Sequence, residues 1–547
     1  MVDVLTVTQR SYNMSRIRSA GTVPEQNFLL LLEANGIRDF ITHPDWIPGK
    51  PDVYFPISKL AIFVDGCFWH ACDQCFQMPA TNKEFWSKKI GANVIHDKKV
   101  NALLKSMGIL TIRIWEHDLK NSPDKFIFDI KEKIAATSTP TVLDLFAGAG
   151  GFSEGFIGSG CDMVGHIEMD DSACKTLITR MVYHALLKLG KVDEYRHYIL
   201  GKTTLEALIE KYSLQKERDS VICAKIGKDN FKDLIKKIKQ KLGSKNLDII
   251  VGGPPCQAYS HIGRARDEKS MRWDHRKFLY RYYIEFLKAL KPKIFVFENV
   301  PGLLSSGKGR YLREMRNLMK KAGYKTDFRI VDATDYGVPQ HRKRVLLVGW
   351  NKYSKLEKYP NFQAVKREYV VKNFLDALPK IKAGGGKPII KNFSKRNELL
   401  EKVGMTSFHF PILMDHVARP HNARDLEIYR RVVNAKKKGI RLKYNALPKR
   451  LKTHKNEECF LDRFKVIDAE ARGSHTVVAH LQKDGHSYIH PDLAQNRSVT
   501  VREAARLQSF PDDYKFEGSR GSQFCQIGNA VPPMLSKVVA HELIKYL

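Results

Sequence analysis

At 547 residues, with 43% hydrophobic and 10% aromatic content, the chain is too long for one ordinary core and too apolar for global disorder, so two or three domains are expected. Its formal charge of +33, from 92 Lys plus Arg against 59 Asp plus Glu, points to a polyanionic partner, because each phosphate neutralised releases counterions. There is no run of about 18 apolar residues, the N-terminus lacks a secretory apolar core, and nine cysteines fit a reducing compartment better than a disulfide framework; the expectation is a cytoplasmic protein away from membranes.

In chain order, Glu25 to Asn35 reads as an amphipathic helix, and KLAIFVD (59–65) and ILTIRIWE (109–116) read as buried strands. Between those strands Cys67, Cys72 and Cys75 have C-x4-C-x2-C spacing, suited to three ligands of a structural zinc, and His117 after the second strand is the best fourth. PGKPDVYF puts Asp52 at a strand start, and Asp65 ends the next strand. Acids at such edges suit a Mg2+ site built from few carboxylates plus water, with His70 and Asp97 as candidate acid/base groups. Residues 131–140 read as a linker.

TVLDLFAGAGG (141–151) is then a strand running into a glycine turn, the way a nucleotide-binding α/β domain begins. Gly148 and Gly150 let the backbone approach a ligand, but position 153 is Ser, so the dinucleotide fingerprint is incomplete. Glu168, 20 residues past Gly148 in HIEMD, suits ribose hydroxyls. Lys175 to Asn246 is Lys-rich and reads as a solvated helix pair. LDIIVGG, KIFVFENV and RVLLVGW are further strands, so a mostly parallel sheet is expected. In GGPPCQAYS, Gly252 and Gly253 give a turn and Pro254 and Pro255 stiffen it, presenting Cys256 as a nucleophile. Glu298 and Asn299 end the next strand, where a carboxylate could serve as general acid. Gln340, Arg342 and Arg344 precede another. Residues 355–495 lose the β-α rhythm and are basic; regularity returns in SVTVREAARLQSFPDDY and QIGNAVPP.

DLFAGAGGF, HIEMD, GGPPCQAYS, ENV, QHRKR, RSVTVREAARLQSFPD and QIGNAVPP, in this order from about Thr141 to Leu547, resemble the DNA cytosine-5 methyltransferases. The resemblance implies S-adenosylmethionine as methyl donor and a flipped cytosine as acceptor. Cys256 would attack C6, Glu298 would bring a proton to N3, and Arg344 would bind the O2 side, with Arg342 beside it in the catalytic set. Phe146 would stack on the adenine, Glu168 would hold the ribose, and Gly148, Gly150, Gly151, Pro255 and Asn529 would complete the cofactor pocket. The family's aspartate for the adenine amino group has no clear counterpart here; Asp229 is the candidate. Region 355–495 falls where the family places its target-recognition domain.

MSRIRSAGTVPE, PGKPDVYFP, FVDGCFWHACDQC, PATNKEFWSKKIGANVIHD and RIWEHDL, across about residues 12–122, resemble the very-short-patch repair (Vsr) endonucleases. By that resemblance Asp52 and the Val64 carbonyl would hold Mg2+ and His70 would be catalytic. Glu25 and Asp97 would lie in or near the site, and Asp65 would stand where some relatives carry histidine. Cys67, Cys72, Cys75 and His117 would bind zinc, and Phe68, Trp69 and Trp86 would wedge beside the mismatch.

The two resemblances together imply an α/β protein. A restriction-endonuclease-like nicking domain with structural zinc (1–130) and the linker would precede a Rossmann-like catalytic domain (141–354). A smaller target-recognition domain (355–495) and a C-terminal return to the catalytic domain (496–547) would follow. Its partner would be double-stranded DNA, with mismatch-repair proteins as possible associates and a monomer as the expected state. The alternative is a restriction–modification fusion cutting unmethylated sites.

Overall fold

The computed structural model describes residues 21–37, 40–56, 58–135, 139–255, 278–365, 369–393, 397–406, 410–454, 456–458 and 461–547. It divides into two compact units. One is the chain up to Thr139 with the segment Leu187–Gly190; the other runs from Pro140 to Leu547 without that segment.

The N-terminal unit is built on a four-stranded sheet in sequence order, β1 (Ile41–Thr42), β2 (Val53–Phe55), β3 (Leu60–Asp65) and β4 (Leu110–Trp115). The first three strands pair antiparallel and β3 pairs parallel with β4, the parallel step needing the long crossover helix α2 (Lys83–Ser106). Helix α1 (Val23–Ala34) begins two residues before the sequence pattern did, because Thr22 caps it and Glu25 returns to the Thr22 hydroxyl and the Gly21 N–H. Helix α3 (Glu116–Asn121) leads into α4 (Pro123–Ala135). That helix occupies half of the expected linker, because Phe126, Ile127, Ile130 and Ile134 form an i, i+4 stripe packed on the core of Phe28, Leu32, Val53, Ile62 and Ile114.

The C-terminal unit carries a seven-stranded sheet. Its strands are β5 (Thr141–Leu145), β6 (Asp162–Glu168), β7 (Val221–Cys223), β8 (Ile249–Gly252), β9 (Ile294–Asn299), β10 (Lys325–Asp332) and β11 (Lys343–Trp350), in the spatial order β10-β11-β9-β8-β5-β6-β7. Strands β5 to β9 are parallel, and β11 and β10 add an antiparallel edge. The chain leaves β5 toward β6 and β7, then returns to β8 on the other side. The crevice at the carboxyl ends of β5 and β8 is therefore the topological switch point where such sheets bind ligands.

The Lys-rich stretch departs from a solvated helix pair. It contains the edge strand β7, and its helix α5 (Phe231–Leu242) buries Leu234, Ile238 and Leu242 in the main core while its lysines face outward. Within 355–495, strands β12 (Gly386–Lys391) and β13 (Ile412–Val417) pair antiparallel. Helix α6 (Ala423–Lys437) packs Ile428, Tyr429, Val432 and Val433 against Tyr444, Leu447 and Phe464. The C-terminal motifs return as α7 (Val501–Leu507), whose Val501, Ala504 and Ala505 share a core with Val371 and Leu375. Arg497, Arg502 and Arg506 are fully buried there. Arg497 forks onto Glu503 at 2.7 Å and Arg506 onto Asp512, so the buried charges are paired.

Candidate active sites

In the N-terminal unit, Asp52 stands just before β2 and accepts the Val64 N–H from β3 at 2.7 Å. Burial pushes its carboxyl up to about 7, against the Val64 hydrogen bond and with help from neighbouring Glu25 and Asp65. Asp65, at the end of β3, is also raised by burial, but Arg113 on β4 reaches both its oxygens at 2.9 and 2.8 Å. The same guanidinium donates to Asp97 Oδ1 on α2 at 3.0 Å and lies over the Phe63 ring. Asp97 Oδ2 in turn sits 2.6 Å from His70 Nδ1. The result is a continuous chain, Asp65–Arg113–Asp97–His70, ending on an imidazole whose Nε2 is left for other work.

Cys67, Cys72, Cys75 and His117 come together with ligand atoms all within 4.8 Å of one another. His117 Nδ1 faces Cys67 Sγ at 3.2 Å and Cys72 Sγ at 3.6 Å. Desolvation first, and the neighbouring Cys67 and Cys72 sulfurs second, push Cys75 up to about 11. Three crowded thiols and an imidazole are a donor set that a dication completes. Phe68, Trp69 and Trp86 form one cluster, with Phe68 at 5.2 Å from Trp69 and 5.3 Å from Trp86 between ring centroids.

In the C-terminal unit, the turn after β5 runs through Phe146, held at φ +59°, before helix α8 (Gly151–Ile157) starts. A non-glycine residue in that region marks a turn held by its surroundings. Glu168, at the end of β6, accepts N–H groups from Gly148 at 2.8 Å, Met169 at 2.8 Å and Asp170 at 2.9 Å. A Cβ placed on Gly148 would meet nothing within 4 Å, so the turn lies open beside the carboxylate. On the other side of the switch point, Gly252 closes β8 at φ +135°, and a Cβ there would sit 1.9 Å from the Leu145 carbonyl oxygen. Only glycine lets the next loop leave in that direction. Asn299 Nδ2 donates to the Pro254 carbonyl at 3.2 Å, pinning the loop just ahead of Pro255. Cys256 follows in the chain and lies outside the described residues.

Glu298 stands next to last in β9, and Arg344 Nε reaches its Oε1 at 2.7 Å from β11, with both side chains largely shielded from solvent. Arg342 behaves differently from its expected place among the catalytic groups. It is 1% exposed and donates to the carbonyls of Val477 at 2.9 Å and Gly528 at 3.1 Å. It precedes β11 and turns inward, fastening the QIGN helix (Arg520–Asn529) to the sheet. Gln340 is likewise buried, spanning Leu507 O and Val477 N. Asn529 is exposed, its side chain 3.5 Å from Cys525 Sγ. Asp229 is exposed on the loop between β7 and α5. Asp144 is buried, pushed up to about 7 by desolvation and held by the Ser153 hydroxyl at 2.7 Å.

Residues 140–198 and 207–545 match the family model for C-5 cytosine-specific DNA methylases. The chain belongs to that family. The methylase is 38% identical over 442 residues to the type II methyltransferase M.Bpa9945I of Bacillus paralicheniformis, covering 73% of this chain and 97% of that one. It is 31% identical to the type II methyltransferase M.AgeI of Thalassovita gelatinovora, over 56% of this chain and 86% of the relative. The solved structure of the Entamoeba histolytica methyltransferase EhMeth overlaps 75% of this chain and 99% of its own, at 15% identity and a TM-score of 0.42.

Residues 2–77 of the methylase match a second family model, DNA mismatch endonuclease Vsr. That stretch carries Asp52, Asp65, Cys67, His70, Cys72 and Cys75 and stops short of Trp86, Asp97 and His117. The methylase is thus a DNA cytosine-C5 methyltransferase with a Vsr-like N-terminal region. No helix among its described residues is long and apolar enough to cross a membrane. Sequence reasoning missed Arg113 and His43. Arg113 opens RIWEHDL and His43 follows a short strand, but neither was given a role, and only strand register brings each to the acids.

Proposed function

We propose that the methylase modifies C5 of cytosine in a specific duplex sequence, and that its N-terminal unit nicks 5′ of the thymine in T·G mismatches left when that product deaminates. The observation that supports the first half best is the gathering of Gly148, Glu168, Pro255 and the Glu298–Arg344 pair at the carboxyl ends of neighbouring parallel strands.

C5 of cytosine is not nucleophilic enough to take a methyl group unaided. In this scheme the Cys256 sulfur adds to C6 of the flipped base, and the ring electrons move toward C5 as Glu298 brings a proton to N3. Arg344 fixes Glu298 through its Nε and presents its remaining donors to the O2 side. S-adenosylmethionine, bound, supplies the electrophilic methyl group. Glu168 would hold its ribose and Phe146 its adenine, with Gly148, Gly150, Gly151 and Asn529 lining the cradle. Loss of the C5 proton to a base then lets the carbon–sulfur bond break, restoring both the aromatic ring and the thiolate. Arg342 takes no part; it braces the scaffold.

In the N-terminal unit, Asp52 and the Val64 carbonyl would hold a Mg2+ ion that stabilises charge on the phosphate. His70, oriented by Asp97, would move the proton of the attacking water or the leaving oxygen. Zinc on Cys67, Cys72, Cys75 and His117 would brace the loop bearing His70, Phe68 and Trp69. The fusion has a chemical reason: 5-methylcytosine deaminates to thymine, so a methylating enzyme creates T·G pairs at its own sites.

Two measurements test this. Duplex containing 5-fluorocytosine at the methylated site, incubated with methyl donor, should become covalently trapped on Cys256; recovery of free protein overturns the mechanism. The same sequence rebuilt with a T·G pair should be nicked on the thymine strand. Equal cutting of fully paired, unmethylated duplex on both strands would instead establish a restriction activity.

A further inference from the structure

His43 has no place in the scheme above, yet the fold sets it between two carboxylates. Its Nε2 lies 3.6 Å from Glu25 Oε2 and its Nδ1 lies 3.6 Å from Asp52 Oδ1. One ligand atom from each of Glu25, His43 and Asp52 falls within 4.8 Å of the other two. The three come from separate parts of the unit. Glu25 is in the first turn of α1, His43 follows β1, and Asp52 precedes β2. The Thr42–Val53 register of β1 on β2 places His43 directly opposite Asp52, and its N–H donates to the Asp52 carbonyl at 3.4 Å. The His43 backbone stands at φ +43°, a conformation that L residues adopt only when held there.

The charges around this group do not balance. Asp65 and Asp97 share the Arg113 guanidinium, whereas among the described residues neither Glu25 nor Asp52 is salt-bridged to a lysine or arginine. As a simple ion pair, one imidazolium would serve two shielded carboxylates at separations longer than a charge-assisted hydrogen bond. Glu25 also accepts the Gly21 N–H and the Thr22 hydroxyl, and Asp52 the Val64 N–H, but these neutral donors bring no cation, and a dication between the three side chains would fill the gap and supply it.

We propose that Glu25, His43 and Asp52 form a mixed oxygen–nitrogen metal centre that takes Mn2+ or a later first-row dication more tightly than Mg2+. This deepens the nuclease reading by assigning a metal class to its site. Mg2+ keeps an oxygen and water shell and gains little from imidazole, whereas neutral imidazole is a good ligand for first-row transition ions.

The test uses the full chain, zinc-loaded and stripped of other metals, titrated with MnCl2 and followed by EPR. Bound Mn2+ should show a directly coordinated 14N coupling in pulsed EPR. That coupling should be absent in His43→Gln, which keeps an oxygen donor, and retained in His70→Ala. His43→Ala should weaken Mn2+ by at least about tenfold while changing Mg2+ competition far less, and Asp52→Asn should weaken both. A Mn2+ site with no nitrogen coupling, or one whose affinity ignores His43, overturns the proposal. T·G nicking with Mg2+ is scored in parallel: nicking that persists without the nitrogen signal rejects the mixed centre alone, while nitrogen-coupled Mn2+ without nicking rejects the nuclease reading alone.

Discussion

The two units differ in how most of their shielded carboxylates are matched. In the C-terminal unit several shielded acids have their own cation, although Asp144 is held by the Ser153 hydroxyl instead. Glu298 meets Arg344, Glu154 meets Arg180 and His184, and Glu503 meets Arg497. In the N-terminal unit Arg113 serves Asp65 and Asp97, whereas among the described residues His43 is the one basic side chain against Glu25 and Asp52. A site that polarises an organic base can hold its charges in balance before the substrate arrives. A site that cuts a phosphodiester through a metal must leave room, in space and in charge, for the metal. On the proposed reading, the difference in charge matching follows from the difference in chemistry.

The strongest way to break the comparison is to remove either unit's charge device and read both activities. Arg344→Ala should lower methylation by about 10²-fold or more, with T·G nicking unchanged. Chelation of divalent ions should do the reverse, abolishing nicking and leaving methyl transfer intact. Methylation lost on chelation would erase the distinction.

A smaller effect tests the Arg113 node. Arg113→Met leaves Asp65 and Asp97 without their shared cation in a site where Asp65's side chain is 5% exposed. Breaking such a pair typically costs about 3–5 kcal/mol, so the N-terminal unit should melt well below its wild-type Tm while the C-terminal transition stays put. Asp97, no longer held by Arg113, should orient His70 less firmly, visible as a changed tautomer balance in its 15N chemical shifts. An unchanged tautomer would reduce Arg113 to a structural role.

The smallest effect is in pH, and its sign differs between the units. Burial lowers His166, His475 and His490 from 6.5 to about 4 and His541 to about 3. Because the unfolded chain binds these protons first, their contribution to stability is whole above pH 6.5 and is lost as pH falls toward 4. Asp52 runs the other way. Raised from 3.8 to about 7, it favours the metal-free fold at low pH and ceases to do so as pH rises through 7. Asp144 and Asp415, both raised by burial, oppose the histidines in the C-terminal unit, but as two groups against several. Calorimetry of metal-free protein should show the C-terminal transition falling between pH 6.5 and 4, with the N-terminal one holding or rising. Saturating divalent metal should remove the N-terminal trend.

The candidate residues of both sites were legible because they sit in short contiguous motifs. Asp52, His70 and Cys67 stand out within a few residues, and Glu298 lies near the end of a strand that its own apolar run announces. The misread residues share a different property. Arg342 and Arg344 stand two apart in QHRKR and look equivalent, but Arg344 lies in β11 beside Glu298 while Arg342 precedes the strand and turns into the scaffold. Arg113 reads as an ordinary residue of an apolar strand until β4 is laid beside β3.

By itself the sequence determined most of the strands of the large sheet, the candidate reactive groups, the methylase family and a Vsr-like N-terminal region, since periodicity and motif spacing are local properties of the chain. Tertiary structure alone decided which arginine meets which acid, that the Lys-rich stretch supplies an edge strand, and that His43 stands opposite Asp52. Those pairings join residues far apart in the chain, and only strand register and burial bring them within reach of one another.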